Sequence, residues 1–177
     1  MTFETQIEEL NKTMKRIAET LERMAPNGKS AEAEEEAAKN ILELIAHNRK
    51  CIDEFSSNLD AMLSLPVSKV ANAIMFLCSI DVEAFFRDGV DRIRDSALYD
   101  DPGVREAIDA HAEYAENDEF CLVLLRNAMD ALMKASLKRK IAKLQKDFME
   151  MQGADRERVS AELSTLMEKY RELKGEE

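Results

Sequence analysis

Between Asp118 and Met151 the chain contains neither glycine nor proline, and apolar residues recur through it at helical spacing. A stretch so free of punctuation predicts one long helix, on the order of 50 Å from end to end at 1.5 Å per residue. A kink near Ala135 and Ser136 is equally compatible with the pattern. In its second half Leu137, Ile141, Leu144, Phe148 and Met151 follow at intervals of four, three, four and three, along one side of a helix. The run breaks once, at Gln152-Gly153-Ala154, and a second stripe follows in Val159, Leu163, Leu166, Tyr170 and Leu173, broadened by Met167. Gly153 can take the left-handed conformation that ends a helix, and Asp155 can accept from the free N–H groups that begin the next. The two stripes predict an antiparallel helical hairpin over residues 134–177.

The same scarcity of breakers holds throughout: 5 glycines and 3 prolines punctuate 177 residues, of which 34% are charged. With no sustained alternation of apolar and polar positions, this predicts an all-α protein. Phe3, Ile7, Leu10, Met14, Ile17, Leu21 and Met24 form a heptad seam, predicting an N-terminal helix over residues 1–24. So narrow a stripe suits a helix that lies on another helix or pairs with its copy from a second chain. Pro26 and Gly28 mark a linker at 25–29. Ser30 then suits an N-cap, with Glu32, Glu34, Glu35 and Glu36 complementing the helix dipole.

A bundle is expected over residues 30–133. Its first helix runs through Ala37, Ala38, Ile41, Leu42, Leu44 and Ile45 towards His47-Asn48. Ile52, Phe55, Leu59, Met62 and Leu63 either extend it or begin another helix near Arg49. Pro66 marks a further start, and the apolar segment Val67 to Ile80 reads as the central buried helix. Asp81 is placed to cap a helix through Val82, Phe85, Phe86, Val90 and Ile93, in which Gly89 permits close packing or a bend. Asp101-Pro102 opens another through Val104, Ile108 and Tyr114, and Asn117-Asp118 opens the long C-terminal stretch.

A formal net charge of −11 disfavours binding to nucleic acid or anionic membrane by the molecule as a whole. The charge is uneven, however, because Lys134, Lys138, Arg139, Lys140, Lys143 and Lys146 stand together without an acidic neighbour between them. Cys51, Cys78 and Cys121 are odd in number and lack CxxC spacing, which fits free thiols in a reducing compartment and predicts a cytoplasmic protein. No apolar run approaches the ~18 residues of a membrane span, and Glu4, Glu8 and Glu9 do not resemble a signal peptide.

Chemistry-bearing motifs are missing. His47 and His111, the two histidines, stand outside HExxH and away from any cysteine partner, and there is no GxGxxG, GxxxxGK[ST] or GxSxG. Asp100, Asp101, Asp109, Glu113, Glu116 and Asp118 cluster in sequence but lack ExxH pairs, so solvated helix faces account for them. No catalytic residue, metal site or cofactor is expected. The residues suited to a partner are instead on the hairpin. Phe148, Met151, Val159 and Tyr170 are candidates for apolar contact, with Lys138, Lys140 and Lys143 orienting an acidic protein surface. The absence of interleaved aromatics argues against direct nucleic-acid binding there.

The segment Ala37-Ala38-Lys39-Asn40-Ile41-Leu42-Glu43-Leu44-Ile45-Ala46-His47-Asn48 and the stretch from Phe120 to Lys174, closing on Glu168-Lys169-Tyr170-Arg171-Glu172-Leu173-Lys174, resemble the C-terminal helicase-binding domain of bacterial replicative primases of the DnaG type. The resemblance implies a helical bundle followed by a protruding hairpin that docks on the N-terminal domain of the hexameric replicative helicase, coupling primer synthesis to the fork in DNA replication. The zinc ribbon and polymerase region of a complete primase have no counterpart here, and residues 2–24 match nothing in the family domain. The alternative reading is a structural coiled-coil adaptor that forms a homodimer through residues 3–24.

Overall fold

The computed structural model describes residues 29–80, 82–110, 116–150 and 154–175. Among them all regular structure is helical: α1 (Lys29–His47), α2 (Arg49–Ser56), α3 (Leu59–Met62), α4 (Lys69–Ser79), α5 (Val82–Arg94), α6 (Pro102–Asp109), α7 (Asp118–Glu150) and α8 (Ala154–Lys174). The all-α expectation holds, for the reason that gave it: there is too little turn chemistry for strands. One compact unit spans Glu32–Ser136, and the C-terminal hairpin from Leu137 belongs to a second, so that α7 contributes to both. The heptad seam of residues 3–24 and the linker residues 25–28 lie outside the described residues. Lys29 already opens α1, which puts Ser30 inside the first turn instead of at the cap.

The core of the bundle unit forms around α1. Ala37, Ala38, Ile41, Leu42, Leu44, Ile45 and Ala46 are all buried, so this helix is covered on more than one side. Three of those seven are alanines, whose small side chains let neighbouring helices approach. The helix expected to be central, α4, is instead half-covered. It buries Val70, Ala71, Ala73, Ile74 and Leu77 but leaves Met75 exposed, with Val67 fully exposed ahead of it. Its start also moves from Pro66 to Lys69, because Ser68 can accept from Ala71 N at 3.2 Å, whereas Leu65, ahead of Pro66, has no side-chain acceptor to cap with. Against α4, Gly89 of α5 is a point of close approach and not a bend. A β-carbon there would lie 2.9 Å from Ile80 Cδ1 and 3.2 Å from Leu77 Cδ2.

Two other helix starts follow the sequence, while Asp81 lies outside the described residues and Asp155 falls inside the first turn of α8. Asp101 Oδ1 accepts from Gly103 N at 3.0 Å and Val104 N at 3.2 Å, with Pro102 in the first turn of α6. Asn117 Oδ1 accepts from Phe120 N at 3.1 Å at the start of α7. The join between α1 and α2 is a true break at Asn48. Its amide donates to Leu44 O at 2.9 Å, closing α1, and its side-chain oxygen accepts from Cys51 N at 3.3 Å, capping α2. The His47 ring Nε2–H donates to Ala107 O at 3.2 Å and ties α1 to α6.

Asn48 also reaches a third helix. Its side-chain nitrogen donates to Asp118 Oδ1 at 2.9 Å, while Lys50 Nζ pairs with Asp118 Oδ2 at 2.6 Å. Lys50 first, and Asn48 second, hold the Asp118 carboxyl below the usual carboxylate range. A lowered native value means that the ionised carboxylate stabilises the fold above the ordinary carboxylate range, and that this contribution is lost as pH falls through the native value. Asp118→Asn is therefore expected to lower the urea midpoint at pH 7, with the difference from wild type closing in acid. Asn48→Ala removes a cap and a part-buried charge-assisted hydrogen bond together, and should cost about 1–3 kcal/mol in the same denaturation at pH 7.

Candidate partner-binding surface of the hairpin

α7 is helical throughout from Asp118 to Glu150. Its buried positions, however, change face. Cys121, Leu125, Met129 and Leu132 are buried in the bundle unit at intervals of four, four and three. The next large buried apolar residue is Leu137, five positions on, a step that carries the stripe about 140° around the axis. Ile141 and Phe148 continue the new face. Phe120 and Val123 are exposed, on the side of the helix opposite the Cys121 to Leu132 stripe.

In the hairpin, α7 contributes Leu137, Ile141 and Phe148, and α8 contributes Val159 and Leu163, all of them buried. Two of the expected contact residues are thereby corrected. Phe148 is 4% exposed and Val159 is 3% exposed, so both belong to the chain's own core and are not on its folded surface. The physical reason is that the stripe that makes a hairpin fold is the stripe it covers. The Arg156 guanidinium lies 4.4 Å from the Phe148 ring centroid, a cation–π contact made within the hairpin itself. Tyr170 is half-buried, as are Leu166, Met167 and Leu173 around it, and Lys174 Nζ stands 5.5 Å from its ring. Tyr170 thus keeps accessible aromatic surface. Met151 lies outside the described residues.

The basic candidates divide as well. Lys138 and Lys140 are two residues apart, hence about 200° apart around the helix, and cannot face one surface together. Lys138 is half-buried, while Lys140 and Lys143 are exposed. Turned away from the buried seam is another row, Arg139, Lys143 and Lys146, at spacing i, i+4, i+7, every member exposed. Met149, 80% exposed, follows one turn beyond Lys146. This row was readable from the sequence by helical spacing, once the seam residues are set aside as filled. Among the described residues of the hairpin the exposed large apolar side chain is Met149, one position beyond Phe148.

Gln145 is the polar exception in the seam. It is buried, and its side-chain nitrogen finds no hydrogen-bond partner. An amide nitrogen taken out of water unpaired costs about 1–3 kcal/mol.

Polar side chains elsewhere are engaged in holding the bundle unit. The Tyr99 hydroxyl donates to Asp109 Oδ2, Arg94 Nη2 reaches Asp109 Oδ1 at 3.5 Å, and the Arg105 guanidinium lies 5.4 Å from the Tyr99 ring centroid. The acidic neighbours 101, 109 and 118 thus act as a cap, a hydroxyl acceptor and an ion-pair partner respectively. Among the described residues no group of three or more His, Cys, Asp or Glu converges as a metal site would require, and no helix is long and apolar enough to cross a membrane. Comparison with protein families, curated proteins and solved structures finds no match to the chain.

Replacing Gln145 by leucine, of similar size and without an unpaired donor, should raise stability by about 1 kcal/mol in chemical denaturation. A destabilised Gln145→Leu protein would show that the amide is paired in solution.

Proposed function

We propose that this chain is a noncatalytic interaction module that binds an acidic protein surface through the exposed face of the hairpin's first helix. The observation that carries the reading is the row Arg139, Lys143 and Lys146 leading to Met149, three cations and one apolar side chain on a single exposed helical face. Such an arrangement supplies the two parts of a docking site. The cations steer encounter and fix orientation, and a flexible apolar side chain is desolvated on contact. Half-buried Tyr170 offers a further anchor on the partnering helix, because aromatic side chains concentrate binding energy at interfaces.

The resemblance to the primase C-terminal domain supplies the particular partner, the N-terminal domain of the replicative helicase, and with it a role in the cytoplasm at the primosome. The helical bundle and long C-terminal hairpin agree with what that family implies about fold. Direct nucleic-acid binding is the weaker reading for the same face, since no aromatic side chain interrupts the basic row for a base to stack on.

The test is binding of the full chain to the isolated helicase N-terminal domain by calorimetry at two salt concentrations. Wild type should bind, more weakly at the higher salt. Lys143→Glu with Lys146→Glu should cut affinity at least tenfold, about 1.4 kcal/mol, and Met149→Ala several-fold, with helicity unchanged by circular dichroism. Absence of wild-type binding removes the helicase as partner, and equal binding by the charge-reversed protein removes the basic row as the site.

A further inference from the structure

The bundle unit contains a pair of buried cysteines that the proposed docking does not use. α2 and α7 are fastened side by side at two levels. Asn48 and Lys50 hold Asp118 at one level, at 2.9 Å and 2.6 Å, and Arg126 Nε donates to Glu54 Oε1 at 2.8 Å at the other. Both sets of residue numbers rise in the same direction, so the two helices run parallel along this contact. Midway between Asn48 and Glu54 on α2 stands Cys51, and midway between Asp118 and Arg126 on α7 is the position directly after Cys121. The two cysteines therefore fall level with each other between the fastenings.

Both also lie on covered faces, Cys51 at 0% and Cys121 at 1% exposure. Burial above all, then the charge of Cys121, pushes the Cys51 thiol up to about 12. Both residues are present as thiols, as is half-buried Cys78.

We propose that Cys51 and Cys121 are an oxidisable thiol pair, which a hydroperoxide closes into an intrachain disulfide that staples α2 to α7. In the first step one sulfur, as its thiolate, attacks the peroxide. The O–O bond breaks, an alcohol or water leaves, and the sulfur becomes a sulfenic acid. In the second step the other thiol displaces water from that sulfur and the S–S bond forms. The two sulfurs together give up two electrons, which the peroxide takes, and the two thiol protons end in water and the leaving alcohol. Burial keeps both sulfurs protonated and shielded at neutral pH, so closure is slow and waits on brief openings of the fastenings. The product fixes together two helices whose residues are far apart in sequence, a device that would make the bundle harder to open under oxidising conditions.

The experiment exposes the full chain to hydrogen peroxide, blocks remaining thiols with N-ethylmaleimide, and maps linkages by mass spectrometry after non-reducing proteolysis. The expected product is a monomer that has lost two hydrogens, with Cys51 linked to Cys121, Cys78 alkylated, and the link reversed by dithiothreitol. Cys78→Ser should form the same link and Cys121→Ser should not. Linkage through Cys78, linkage between chains, or oxygen adducts on Cys51 and Cys121 without a link would overturn the proposal. Wild type and Cys78→Ser decide it alone if Cys121→Ser fails to fold.

Discussion

Three helices of the bundle unit meet at the side chain and backbone of one buried residue, Asn48. Its amide hydrogen ends α1 on Leu44 O, its side-chain oxygen begins α2 on Cys51 N, and its side-chain nitrogen holds the first residue of α7 through Asp118. A polar side chain out of water is tolerated only when its donors and acceptors are used, and these bonds use them in three directions at once. Geometry follows from that satisfaction. The chain must turn at 48, α2 must leave at the angle its cap sets, and Asp118 must stand within reach seventy positions later in the sequence. Lys50 and the Arg126–Glu54 pair then reinforce an alignment that Asn48 has fixed. These outer pairs are exposed and contribute little each, so the buried amide is what makes the alignment specific.

What could be read from the sequence depended on whether the deciding signal was local. Asp101 and Asn117 were legible as caps, because an acceptor side chain before a helical run acts within three residues of itself. The break at Asn48 is one of two alternatives that the sequence leaves open, since helical spacing continues through Ile52 and Phe55 whether or not the chain turns. What decides it is the bond to Asp118, a partner far away in sequence. Pro66 misled for a related reason: proline permits a helix start but does not cap one, and Ser68 does. The central helix was misassigned because hydrophobicity was taken as a measure of burial. α4 is the more apolar along its length, yet α1 is the more covered, its alanines allowing neighbours close on several sides.

The long helix shows the same limit from the other direction. A single stripe along α7 would have kept step at intervals of three and four, but the interval of five between Leu132 and Leu137 turns the buried face. Phe120 and Val123 are apolar too, and the helix places them opposite the first buried face. Of the hairpin stripes, Leu137, Ile141, Phe148, Val159 and Leu163 are buried, Leu144, Leu166, Tyr170 and Leu173 are half-buried, and Met151 lies outside the described residues. The error was to ask the same residues to serve a partner as well. A side chain that closes a seam has already spent its desolvation, and only residues off the seam remain to be desolvated by a second protein. Arg139, Lys143, Lys146 and Met149 meet that condition; Phe148 and Val159 do not.

The basic row proposed for docking stands in a chain of net charge −11, which is self-defeating if the molecule is treated as a point charge. Screening removes the conflict. At physiological salt the field of an exposed charge decays over about 8 Å, so an approaching surface responds to the charges nearest it and not to the sum over the molecule. Arg139, Lys143 and Lys146 stand within two turns of one helix, about 10 Å, and act together at that range. Most of the acidic residues lie elsewhere in the sequence, where they oppose nonspecific attraction to nucleic acid and to anionic lipid. The imbalance therefore favours one orientation of approach over the others. On the proposed reading an acidic partner would be drawn to the hairpin row and repelled by acidic faces, which would give specificity to a surface with modest apolar contact.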